Sequence, residues 1–269
     1  MSPGEAVRRP DQAVPSEAPT DDIFLGGALN ILQPRDGLRA GLDAVMLAAA
    51  VPAQTGQTVL DAGAGVGIVG LCVARRCPGT RVTLIEREVR LAQLAEANIA
   101  RNALRDRATV VCADLGAPMA ALRQLGLEPG SFDHVAANPP FHHDSDVRVS
   151  PHGLKAAASA FAAGDLDRWL RFLAAMARPG GILTLIHRAE ALGAVLSALG
   201  NRFGAARIFP LFPRAGQPAS RILVQATKGS RGPSSLLPGL VLHAADGRFL
   251  PVPDAILRGG AALGLDRSS

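Results

Sequence analysis

The stretch Val59-Leu60-Asp61-Ala62-Gly63-Ala64-Gly65-Val66-Gly67 decides how the rest of the chain is read. It begins as a short apolar strand (57–61), meets an acid, passes through three glycines at alternate positions, and runs into an apolar helix (67–75). Glycines at a strand-to-helix turn let the backbone bend sharply and let a ligand approach it closely. The spacing is not that of a dinucleotide-binding turn, G-x-G-x-x-G. The third glycine arrives one residue early, position 68 is Ile, and an Asp stands two residues before the first glycine.

Outward from this turn, strand-like and helix-like segments alternate. Strands are expected at 81–86, 108–113, 132–137, 182–187, 207–212 and 221–227, and helices at 89–103, 165–177 and 189–199. In the first of these helices the apolar residues Leu91, Leu94, Ala95 and Ile99 fall at helical spacing. Arg178-Pro179-Gly180-Gly181 reads as the closure of the second. Such alternation implies βαβ units and a parallel sheet. The second strand ends at Glu86, the third is followed by Asp114, and the fourth by Asn138-Pro139-Pro140-Phe141. Acids at the C-terminal ends of successive strands converge on one crevice of a doubly wound sheet. A single such acid is ordinarily a cap or turn residue; three in register with the glycine turn indicate a site.

Composition bounds the rest. The 269 residues include 48% hydrophobic and 19% charged, enough to bury one α/β core. Aromatics are only 4%, with one Trp and no Tyr, which argues against a broad base-stacking platform. The three cysteines, Cys72, Cys77 and Cys112, include no Cys-x-x-Cys pair and read as reduced thiols of a cytoplasmic protein. The net charge of +5 and the pI near 10.0 fit a nucleic-acid partner. That signal is discounted, because 26 of the 28 basic residues are Arg in a chain crowded with Ala, Gly and Pro, a bias codon composition alone can produce. Residues 1–22, with four prolines and no apolar core, read as a disordered tail rather than a secretory signal, leaving 23–265 as one domain. The apolar run 44–51 stops at Pro52 and is too short to span a bilayer.

The glycine turn resembles motif I of class I AdoMet-dependent methyltransferases. The resemblance implies a Rossmann-like seven-stranded, mostly parallel sheet with helices on both faces, its last strand antiparallel and inserted between the fifth and sixth. It implies S-adenosyl-L-methionine as cofactor, without a metal. Asp61 would lie near the methionine amino end, Gly63, Gly65 and Gly67 against the cofactor, Glu86 at the ribose hydroxyls and Asp114 at the adenine amino group. Asn138-Pro139-Pro140-Phe141 resembles the motif of amino methyltransferases, which modify adenine N6, cytosine N4, guanine N2 or a glutamine amide. Asn138 and a backbone carbonyl would accept the two N–H bonds of the target amine, held by the rigid prolines, while Phe141 stacks on the ring. The adjacent His142-His143-Asp144 invites a metal, but neighbouring residues of an extended chain point to opposite faces and rarely chelate together; a loop that closes over the target is favoured. His152 and Lys155 in that loop are read as either phosphate contacts or solvated residues.

Gln33-Pro34-Arg35-Asp36-Gly37-Leu38-Arg39-Ala40-Gly41-Leu42-Asp43-Ala44 narrows the family. It is similar to a segment of bacterial tRNA1(Val) adenine-N6 methyltransferases, with Leu38 where an aromatic is usual. The likeness runs from about Phe24 to Leu265. It implies that Arg39, Gly41 and Asp43 cap the cofactor pocket, and that tRNA is the partner. Arg207, Arg214 and Arg221 near the closing hairpin become phosphate-contact candidates, against a reading as ordinary solvated Arg. Guanine-N2 methylation of rRNA and glutamine-N5 methylation of protein stand as alternatives. The sequence does not set the oligomeric state.

Overall fold

The computed structural model describes residues 18–35, 41–140 and 166–265. Eleven strands and seven α-helices are found among them. The strands are β1 (Thr20–Phe24), β2 (Leu29–Gln33), β3 (Thr58–Ala62), β4 (Arg81–Glu86), β5 (Ala108–Cys112), β6 (Phe132–Ala137), β7 (Ala177–Arg188), β8 (Phe203–Arg214), β9 (Arg221–Lys228), β10 (Ser235–Leu236) and β11 (Leu240–His243). The helices are α1 (Leu42–Ala50), α2 (Ile68–Arg76), α3 (Val89–Arg101), α4 (Met119–Gln124), α5 (described over 166–176), α6 (Leu192–Leu199) and α7 (Pro251–Gly259).

The main sheet runs β5-β4-β3-β6-β7-β9-β8. Strands β3 to β7 pair in parallel, whereas β9 is antiparallel to both β7 and β8. The expected order therefore holds, with the last of the seven strands inserted between the fifth and sixth. Two short strands, β10 and β11, share the outer edge of β8. The central strands are buried on both faces, as a covered parallel sheet demands, and alternate residues serve opposite layers. Val59, Leu84 and Ala136 face one core with α1, α2, α3 and α7. Leu60, Ile85, Val135 and Ala137 face the other with α4, α5 and α6.

Three local differences from the sequence reading have physical causes. Arg178 to Gly181, expected to end a helix, forms a bulge inside β7, whose pairing with β6 jumps from Phe132↔Ala177 to His134↔Ile182. Thr20, Asp21 and Asp22, expected in the tail, belong to β1 and pair with Gln33, Leu32 and Ile31. The Asp22 carboxylate accepts from the Gln33 side chain at 2.8 Å, which ties the hairpin closed. The free edge of β2 is satisfied from α3, where the buried Asn98 and Asn102, one helical turn apart, act as surrogate peptide groups. Asn98 Oδ1 accepts the Leu32 N–H at 2.7 Å and its amide donates to the Leu32 carbonyl at 3.0 Å, and Asn102 does the same with Asn30 at 2.9 and 2.8 Å.

Candidate active site

A cleft of about 390 Å³ opens at the C-terminal ends of β3, β4, β5 and β6, within the range usual for small-molecule sites. The glycine turn forms its floor. Gly63, Gly65 and Gly67 all have positive φ (62°, 57° and 91°), a conformation costly for any residue with a Cβ. Their roles differ. A Cβ on Gly65 would meet nothing within 4 Å, so this glycine faces open space in the cleft. A Cβ on Gly63 would lie 2.3 Å from the Trp169 ring. Gly67 does not line the cleft; it caps α2, and a Cβ there would meet Leu84 at 2.8 Å.

The acids are held by backbone. Glu86, 7% exposed, accepts the Gly65 N–H at 2.8 Å on one oxygen and the Glu88 N–H at 2.9 Å on the other. Each oxygen keeps a lone pair for a donor in the cleft. Asp61, 1% exposed, accepts the Gly70 N–H at 2.9 Å. Burial pushes its carboxyl up to about 7, the Gly70 hydrogen bond opposes this, and the Glu86 charge adds to it. Asp114 meets the Arg168 guanidinium at 2.5 Å and the Gly116 N–H at 2.6 Å.

Asn138, Pro139 and Pro140 line the wall beyond β6. The Asn138 Oδ1 is buried and has no hydrogen-bond partner among the described residues. Buried carbonyl oxygens are ordinarily paired, so an orphan in a cleft marks a place for a donor.

Asp61, Gly63, Gly65, Glu86, Asp114, Asn138, Pro139 and Pro140 are thus brought together. Gly41 and Asp43 are not among the lining residues. Gly41 precedes α1, and Asp43 is held by Arg221 of β9 at 2.8 Å. Arg221, a candidate phosphate contact, therefore carries an internal ion pair. Ala44, beside Asp43, does reach the cleft. Arg39, Phe141, His142, His143, Asp144, His152 and Lys155 lie outside the described residues. Among the described residues no three His, Cys, Asp or Glu side chains gather to hold a metal, and no helix is long and apolar enough to cross a membrane. The sequence reading missed Arg168 and Trp169, which α5 brings to the cleft. The only usable signal was that Trp169 is the sole tryptophan of an aromatic-poor chain.

A parallel sheet with one antiparallel strand inserted near its edge, and a three-glycine turn and strand-end acids at one crevice, define a Rossmann-like class I methyltransferase fold. The family model of the methyltransferase small domain matches residues 40–166. A solved protein from Agrobacterium tumefaciens, described as a predicted O-methyltransferase, is 32% identical, with a TM-score of 0.69 over 82% of this chain and 98% of that one. At that identity and coverage the chain belongs to the same methyltransferase family as the Agrobacterium protein. Several relatives carry the name tRNA1(Val) (adenine(37)-N6)-methyltransferase. The one from Aeromonas hydrophila is 28% identical over 221 residues, 80% of this chain and 86% of the relative. The one from Bacteroides fragilis is 33% identical over 108 residues, so that the match spans 40% of this chain and only 43% of that relative.

Proposed function

We propose that the protein is a cytoplasmic AdoMet-dependent N-methyltransferase that modifies the N6 amino group of a tRNA adenosine next to the anticodon. The observation that carries this reading is the buried Asn138 Oδ1, without a partner among the described residues, at the edge of a cleft floored by a glycine turn. The names of the Aeromonas and Bacteroides relatives support the choice of substrate.

The residues fit the cofactor. The space over Gly65 accepts a ligand against bare backbone, Glu86 offers two acceptor oxygens, and Asp61 offers a carboxylate to an ammonium group. Bound there, AdoMet supplies an electrophilic sulfonium methyl group. Asp61, Gly63, Gly65, Glu86 and Asp114 hold it, Gly67 sets the turn, Arg39 caps the pocket, and Gly41 and Asp43 set the start of α1, which brings Ala44 to the cleft. Asn138 accepts one N–H of the target amine and so orients the nitrogen lone pair toward the methyl donor. Pro139 and Pro140 keep the turn extended, so that little conformational freedom is lost when the amine binds. Phe141 stacks on the base. With the amine aligned and a good leaving group present, positioning carries the rate without a dedicated base. A loop base is already partly unstacked, which lowers the cost of drawing it into the cleft.

The test is methyl transfer from labelled AdoMet to unmodified total tRNA, with nucleoside analysis and an Asn138→Ala control. N6-methyladenosine made only by the parent supports the proposal. N2-methylguanosine, or label in rRNA or in protein glutamine, moves the substrate to the alternatives. A 2′-O-methylated product moves the acceptor to oxygen, and label in none of these overturns the reading.

A further inference from the structure

Arg168 lines the cleft but takes no part in the chemistry above. Its guanidinium meets Asp114 Oδ1 at 2.5 Å, and the same oxygen accepts the Gly116 N–H at 2.6 Å. The hydrogen bonds of Asp114 among the described residues all fall on Oδ1. The guanidinium lies against the backbone at Gly116, where a Cβ would stand 1.8 Å from its Nη2 and 2.4 Å from its Cζ. A Cβ at 116 would force the guanidinium to shift from this seat.

Stability does not account for this arrangement. The two side chains are 53% and 45% exposed, and ion pairs so exposed contribute little to folding. Helix α5 is anchored independently by the buried Leu166, Leu170, Leu173 and Met176. The pair instead fixes the plane of the carboxylate. With Oδ1 committed twice, Oδ2 remains as an oriented acceptor on the cleft wall.

We infer that Arg168, seated on Gly116, is a positioning residue that aims Asp114 so that the cleft selects a purine carrying an amino group at C6. Such a group donates an N–H to Oδ2. A 6-oxo purine presents an acceptor at the same place and carries its donor at N1 instead, so the pairing for which Oδ2 is aimed is lost and affinity falls. This inference rests on the reading of the cleft as an AdoMet site.

The experiment compares binding of S-adenosylhomocysteine and S-inosylhomocysteine, which differ in the C6 substituent and in the N1 proton that accompanies the oxo form, by calorimetry. The full chain and its Arg168→Met, Arg168→Lys, Gly116→Ala and Asp114→Asn variants are used, with thermal melts as a control on folding. The parent should prefer the 6-amino ligand by about tenfold or more. Arg168→Met and Gly116→Ala should each lose most of that preference, by weakening the adenosyl ligand while inosyl binding changes less than about twofold. Arg168→Lys should keep part of it, because a lysine retains the charge but not the planar fork. Equal weakening of both ligands would make Arg168 a plain wall of the cleft and overturn the inference. So would an unchanged preference in Arg168→Met. A parent that binds neither ligand overturns the cofactor reading first, and this inference with it.

Discussion

The two ends of the parallel strands are built from the same residue types to opposite effect. At the N-terminal ends of β3 and β6, Asp133 is closed on every side. Its Oδ2 accepts the Thr58 N–H at 2.9 Å and the Thr58 hydroxyl at 3.0 Å, and its Oδ1 meets Arg178 at 2.6 Å. Nearby, Lys228 donates to the Ala177 carbonyl at 2.6 Å, and His134 meets Gln57 Oε1 at 2.8 Å through Nε2, while its buried Nδ1 has no partner among the described residues. At the C-terminal ends of the same two strands, Asp61 is buried with one backbone hydrogen bond, and Asn138 Oδ1 has no partner among the described residues. Satisfied polar groups stabilise a fold. Unsatisfied ones cost stability and are kept where a ligand completes them. The acceptor oxygens of Asp133 are closed where those of Asp61 and Asn138 stay open, and that difference separates the functional edge of the sheet from the structural one.

Asn138→Ala is the strongest way to break that comparison. Removing one preorganised polar contact from the transition state commonly costs about 10²–10³ in rate, so kcat for methyl transfer should fall at least about 100-fold. An oxygen buried without a partner among the described residues does not stabilise the fold, so the melting temperature should not fall. A variant that melts early but retains its turnover would place Asn138 on the structural side.

Gly63→Ala comes next. A Cβ at φ +62° and 2.3 Å from Trp169 must displace the indole or distort the turn. Overpacking of this kind costs about 1–3 kcal/mol, and affinity for S-adenosylhomocysteine should fall by about tenfold or more. Because Trp169 is the only tryptophan, its fluorescence reports the displacement directly. The double variant with Trp169→Leu should recover part of the loss, and strict additivity would show that the two residues do not meet.

A pH series sharpens the comparison further. Asp61 is raised to about 7 by burial, so in the ligand-free protein it is largely protonated below that value and ionised above it. Its folded-state pKa lies above the unfolded one. Its contribution to stability is therefore complete below about pH 4 and is lost as pH rises through about 7. Binding of an ammonium-bearing ligand runs the other way, because the ionised carboxylate is the better partner. Affinity for S-adenosylhomocysteine should climb by up to about tenfold from pH 6 to pH 8. Asp61→Asn should flatten that climb, and a climb that survives the substitution assigns the titration to another group.

How much of this was legible depended on whether a feature was local in sequence. The glycine turn, Glu86, Asp114 and Asn138 each follow a strand directly, so strand ends alone brought them to one crevice. Gly67 was read as a ligand contact because its spacing matches the turn, but close packing on Leu84 explains it. Arg168 and Trp169 reach the cleft from a helix 100 residues beyond the turn, and no local pattern marks either. The β1–β2 hairpin escaped notice because its stabilising partners, Asn98 and Asn102, sit on the buried face of a helix where polar residues break the apolar pattern. Asp43 was placed at the pocket by its segment, yet Arg221 holds it from 178 positions away.

The smallest effect is expected at the opposite edge, and it tests the comparison from the structural side. Burial raises the Asp133 carboxyl, but the Thr58 N–H and hydroxyl together with Arg178 outweigh it and leave it below the ordinary aspartate value. A depressed folded-state pKa contributes stability above the unfolded value, which is lost as pH falls through the folded one. Asp133→Ala leaves the Thr58 N–H and Arg178 without their acceptor, and the partly exposed position limits the loss to about 1–2 kcal/mol. The variant should therefore unfold at lower denaturant concentration at pH 7, and the gap to the parent should narrow only as pH falls below the ordinary aspartate value. Its kcat, its KM for AdoMet and its preference for a 6-amino purine should match those of the parent. If Asp133→Ala instead altered turnover at unchanged stability, the division of the sheet into a structural and a functional edge would fail.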